Sequence, residues 1–108
     1  LLIHPWVMTD FLDYHFFLGE VDALIRKLGH EGVFQVASLH PDYEFAGSAM
    51  DDIANFTNRS PYPILHLLRE SSIDRAVAAF PEAAEIFERN IETMERLGHE
   101  GWRKLWLA

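Results

Sequence analysis

The chain has 108 residues, 49% of them hydrophobic and 24% charged, and its 17 acidic against 9 basic side chains give a formal net charge of -8. This is the length and composition of one packed domain rather than a disordered tail, and the acidity speaks against nucleic acid or an anionic membrane as partner, since no basic run exceeds a pair such as Arg103-Lys104. The lack of cysteine removes disulfides, thiolate nucleophiles and zinc-thiolate sites and fits a reducing, cytoplasmic setting, and no apolar run reaches the roughly eighteen residues of a membrane span.

Leu1-Leu2-Ile3 reads as a buried strand that ends at His4-Pro5, where proline cannot extend a ladder. A strand at the very start, with no initiator methionine, raises the expectation that preceding residues are missing. Thr9 or Asp10 then offers an N-cap, and Phe11, Tyr14, Leu18, Val21, Ile25 and Leu28 follow at three- and four-residue steps, the stripe of an amphipathic helix. Arg26 and Lys27 suit its last turn and Gly29 its stop, while Gly19 is a weak link costing about 1 kcal/mol against alanine. Val33 to Leu39 reads as a second buried strand, closed by another His-Pro pair, His40-Pro41. Strand, helix and strand in this span predict a βαβ unit with parallel strands and a right-handed crossover.

Residues 41 to 63 carry prolines, glycine, asparagines and aspartates and read as a long polar loop, with Asp51-Asp52 opening one helical turn through Ile53 and Phe56. Ile64 to Leu68 is too short for periodicity to assign, and Pro63 before it with Ser71-Ser72 after it slightly favours a strand. Ser72 caps a helix through Ile73, Val77 and Ala78. Pro81 opens a last helix with Ala84, Phe87, Ile91 and Met94 on one face and Gly98 at its end, followed by Trp102, Leu105 and Trp106 at helical spacing, a tail expected to dock on this domain or on a partner. Leu97-Gly98-His99-Glu100-Gly101 repeats Leu28-Gly29-His30-Glu31-Gly32, and convergent helix termination explains the echo more simply than duplication. The expected fold is thus one α/β domain over residues 1–108: a βαβ unit, a long polar loop and C-terminal helices, part of a larger sheet.

Parallel strands deliver their carboxyl ends to one edge, where ligands bind. That places His4 and His40 together, with the long loop starting beside them, and two adjacent strand ends about 4.8 Å apart would let two imidazoles share a site. Each His-Pro pair taken alone is more simply a capped turn. Three readings compete. The first is a small-molecule-binding or enzymatic domain for an anionic ligand, with Asn58, Arg59, Ser60 and Arg69 as binding residues and His40 or His66 transferring protons. Arg59 and Arg69 serve equally well to neutralise internal carboxylates, and His66 as a hydrogen-bonded core histidine. The second is a divalent-metal site using His4, His40 and Glu44, with Asp42 as a further ligand. The third is a non-catalytic assembly module, self-associating through Trp102 and Trp106. No G-x-S-x-G, H-E-x-x-H, Walker or G-x-G-x-x-G pattern is present.

His40-Pro41-Asp42-Tyr43-Glu44-Phe45-Ala46-Gly47, Asn58-Arg59-Ser60-Pro61-Tyr62-Pro63 and Leu65-His66-Leu67-Leu68-Arg69-Glu70 are similar to segments of the bacterial family called domain of unknown function 1415. Leu1 to Pro5, Thr9 to Tyr14 and Leu97 to Trp102 extend the resemblance over almost the whole chain. Members of that family are longer at the N-terminus, with a helix bearing a Cys-Pro-Phe segment and another strand. The resemblance therefore implies that this chain is the central and C-terminal part, and it implies no activity.

Overall fold

Asp10 sets the start of the first helix, α1 (Phe11–Lys27): its carboxylate accepts the Asp13 N–H at 3.1 Å, and Arg26 and Lys27 close the last turn. The computed structural model, which describes residues 1–105, places strand β1 (Leu2–Ile3) before this helix and strand β2 (Phe34–Leu39) after it. A 3₁₀ helix, Ile53–Asn58, interrupts the long loop, and Asp52 caps it by accepting the Ala54 N–H at 3.0 Å. Strand β3 (Ile64–Arg69) runs directly into helix α2 (Glu70–Ala79). A short 3₁₀ turn, Ala83–Glu85, then leads into α3 (Ile86–Lys104). Trp106 lies outside the described residues.

The sheet corrects the expected topology. Its order is β1-β3-β2 and both pairings are antiparallel, with Leu2 opposite Leu65 and Ile3 opposite Ile64 on one side, and Leu39 opposite Ile64 through to Phe34 opposite Arg69 on the other. The parallel βαβ pair does not form, because β3 is the strand that fills the space between β1 and β2. Since each is antiparallel to β3, β1 and β2 still point the same way. The crossover through α1 therefore spans two strand spacings, about 10 Å. A six-residue strand matched to its neighbour along its whole length outweighs the two-residue β1 as a pairing partner for β2.

Tyr14, from the first turn of α1, closes this arrangement. It is fully buried, its hydroxyl donates to the Ile64 carbonyl at 2.6 Å and accepts the Leu39 N–H at 3.0 Å. The phenol is thus inserted into the β2–β3 ladder at the end where the two strands part into the long loop. Because the Leu39 N–H faces β3, the Ser38 carbonyl of the same planar peptide faces away from it. Asn58 meets that outer edge, donating its side-chain amide to the Ser38 carbonyl at 3.1 Å and accepting the His40 N–H on its own carbonyl at 3.1 Å.

α3 is two helical stretches joined at Gly98, whose φ of 70° stops the first where the sequence predicts. The second stretch is turned onto the 3₁₀ helix: His99 Nε2 donates to the Asp51 carbonyl at 2.6 Å, and the His99 and Trp102 rings stand edge-on to Phe56 at 5.1 and 5.5 Å. Among the described residues no helix is long and apolar enough to cross a membrane.

Burial raises the Tyr14 phenol above its ordinary value of 10.0, with the nearby Tyr43 adding to the rise and the Leu39 hydrogen bond opposing it. A raised acid binds its proton more tightly folded than unfolded, so this contribution to stability is intact below pH 10.0 and lost as pH climbs toward the folded value. Ultraviolet titration of the three tyrosines is expected to show one phenol ionising last, together with unfolding. Tyr14→Phe is expected to remove that late step and to cost about 2 kcal/mol in urea denaturation at neutral pH, by stranding two buried backbone groups.

Candidate functional site

The polar loop between β2 and β3 is held by its own side chains. His40 has no exposed surface, and its two ring nitrogens have fixed roles: Nε2 donates to the Met8 carbonyl at 2.9 Å, and Nδ1 accepts the Asp42 N–H at 3.0 Å. A carbonyl only accepts and an amide N–H only donates, so the partners define the Nε2–H tautomer. Asn55 is equally buried, and its side-chain oxygen takes the Phe45 N–H and the Ser48 hydroxyl while its amide donates to the Ala49 carbonyl. Ser60 closes a local turn by donating to the Tyr62 carbonyl at 2.6 Å. Asn58, as described above, is spent on the edge of β2.

Arg59 differs from these residues. Its Nε donates to the Tyr43 carbonyl at 3.3 Å, one terminal nitrogen donates to the Met50 carbonyl at 2.9 Å, and the guanidinium carbon sits 4.1 Å from the Phe56 ring centroid. A guanidinium has five N–H groups, so three donors remain after these two bonds. Among the described residues Arg59 forms no ion pair, although carboxylates greatly outnumber cations in the chain. Two adjoining hollows meet at this side chain. One, of about 370 Å³, is bordered by Pro41, Ser60, Pro61 and Trp102, and the other, of about 310 Å³, by Phe56, Asn90, Thr93, Met94 and Trp102.

Other candidates from the sequence lie elsewhere. Arg69 is exposed at the far end of β3, so the length of that strand, about 17 Å, separates it from the Arg59 end and the two do not form one clamp. His66 is half-buried opposite Ala37 in mid-strand, and its side chain makes no hydrogen bond among the described residues. His4 follows β1 and donates its main-chain N–H to the Pro63 carbonyl at 2.9 Å, which leaves the start of β3 between it and His40. Its Nε2 is buried without a partner. Glu44 is half-buried in a groove against α1. Among the described residues no three His, Cys, Asp or Glu side chains are grouped to hold a metal ion.

Two features of this region were not legible as site residues. Trp102 reads in the sequence as a side chain that docks on this domain or on a partner, and the turn at Gly98 docks it on this domain, against Phe56 and beside Arg59. Asn55 is one polar residue among many in the loop, and only its zero exposure marks it as the internal staple.

The model of the family described as "Protein of unknown function (DUF1415)" matches residues 1–104. The match covers nearly the whole chain, and the expectation that only the central and C-terminal part of the family is represented is not borne out. No curated protein and no solved structure gives a significant match.

Replacing the buried imidazole empties a packed space and strands the Asp42 N–H and the Met8 carbonyl. His40→Ala is therefore expected to cost about 3 kcal/mol of unfolding free energy, read from urea denaturation. Long-range proton–nitrogen NMR of the unsubstituted protein at neutral pH is expected to find the His40 proton on Nε2.

Proposed function

Since the chain belongs to the DUF1415 family of proteins of unknown function, its role has to be argued from its own residues, and we propose that it is a small-molecule-binding domain whose site centres on Arg59 and takes a compact carboxylate or phosphate with an apolar body. The observation that carries this reading is the guanidinium itself. It is immobilised by two main-chain carbonyls and an aromatic face, has donors to spare, and borders two hollows. An arginine fixed before the ligand arrives loses little side-chain entropy on binding, and its fork suits an oxyanion. Trp102, Pro41, Pro61 and Met94 supply apolar walls for the ligand body. The net charge of the chain opposes an anion at long range, but screening limits that field to about 8 Å at physiological salt, so the local donors decide. Binding rather than catalysis is the supported form, because both His40 nitrogens are engaged and His66 borders neither hollow.

Thr93 stands on the rim and its hydroxyl bonds only within its own helix, to the Arg89 carbonyl at 2.8 Å. Thr93→Glu brings a competing carboxylate to Arg59 without cutting the loop clamps. Inorganic phosphate and small carboxylates are expected to raise the melting temperature of the unsubstituted protein and not of Thr93→Glu, whose own stability shifts by no more than about 0.5 kcal/mol. Equal shifts in both proteins would sink the reading.

A second reading, as an assembly module, is favoured by a separate observation. The chain exposes 7917 Å², against about 6,200 Å² for a compact monomer of 12.5 kDa. Trp6, Phe16 and Leu12 are 89%, 68% and 63% exposed. The excess on one chain is about twice the roughly 800 Å² that each partner buries in a standard protein–protein interface. Light scattering is expected to find self-association that Leu12→Ser with Phe16→Ser relieves; a well-folded monomer at high concentration rejects this reading.

A further inference from the structure

On the opposite side of the same loop, α1 and residues 43–46 enclose a separate hollow of about 370 Å³. Three of its walls are aromatic. Phe11 and Tyr43 stand edge to face at 5.4 Å and 64°, and Tyr43 and Phe45 at 5.0 Å and 76°. Rings set so steeply to one another present their electron-rich faces in different directions around one space, the arrangement that attracts a cation lacking strong hydration. His15, Asp22 and Glu44 also border the hollow; no lysine or arginine is among its described lining residues, and neither carboxylate has an ion-pair partner among the described residues. Beyond Phe11 and Glu44 the groove widens into a depression edged by Asp10 and Asp42.

Gly19 supplies an independent observation. It sits mid-helix with an ordinary helical backbone, so no left-handed conformation demands it. A Cβ built there meets nothing within 4 Å, so no close packing demands it either. The residue nonetheless costs helix stability, and what its missing side chain leaves open is the floor of the hollow.

We propose that this hollow is an aromatic cage for an organic cation, an alkylated or quaternary ammonium group, with Phe11, Tyr43 and Phe45 as walls and Asp22 and Glu44 as counter-charges. It is distinct from the Arg59 site. The Tyr43 carbonyl is one of the two that hold Arg59, so the loop presents opposite ligand chemistries on its two sides.

The test is an NMR titration of the whole chain at low salt with tetramethylammonium chloride, beside tert-butanol as a neutral probe of similar shape and sodium chloride as the ionic control. Saturable shifts of the Gly19 and Ala46 amides with tetramethylammonium, absent with both controls, are expected. Gly19→Leu fills the floor and improves helix propensity, so it is expected to abolish the response while raising the melting temperature by about 4 °C. Glu44→Gln is expected to weaken binding about tenfold, and Thr93→Glu to leave it unchanged, which separates this site from the anion site. No saturable shift, an equal response to tert-butanol, or binding that survives Gly19→Leu would each overturn the proposal.

Discussion

The hydroxyl of Tyr14 is the point at which helix, sheet and loop are tied to one another. By standing between the Leu39 N–H and the Ile64 carbonyl, it lets two strands separate without leaving their terminal peptide groups unpaired in a buried place. A hydrocarbon side chain of the same volume would fill the space but would satisfy neither group, and each orphan of that kind costs more than an average hydrogen bond contributes. α1 is thereby positioned along β2, and the direction in which the long loop departs is set. The hollows described above depend on that departure, since one lies between the loop and α1 and the two at Arg59 lie between the loop and α3.

The loop itself shows why polar residues are an ambiguous signal of function. A segment without regular structure must find partners for its backbone groups as it folds against the domain. Here His40, Asn55, Asn58 and Ser60 meet that need with side-chain bonds to main-chain atoms of the loop and its neighbours. Functional candidates are then the residues with capacity left after the internal demand is met. Among the described residues, Arg59 keeps donors without partners, while the carboxylates of Asp22 and Glu44 stand without cations.

Local structure was largely legible in the residues. The Asp10 cap, the α1 stripe, the Gly29 and Gly98 stops and the Asp52-capped turn all follow from short-range chemistry and are found where that chemistry puts them. The sheet was not. Whether two strands joined by a helix are neighbours depends on whether a later segment inserts between them, and nothing local to Leu1–Ile3 or Phe34–Leu39 records the arrival of β3. The site followed the same division. Arg59 and Ser60 were visible as loop chemistry, but the partnership of Arg59 with Trp102 needs the turn at Gly98. The pairing of Arg59 with Arg69 failed because a strand rather than a turn separates them. The three-ring cage depends on α1 facing the loop, and its one trace in the sequence is a glycine in a helix that has no conformational use for it.

The pinning of the loop also bears on how the domain breathes. His40 ties one end to Met8, Asn55 gathers the middle, Arg59 fastens the far end to Tyr43 and Met50, and His99 holds Asp51 to α3. Such a set of cross-links is released together or not at all, because opening any one leaves the others strained across the gap. The segment therefore belongs to a single cooperative unit, and its amides should exchange with solvent as a block through one shared opening rather than fraying residue by residue from the tip.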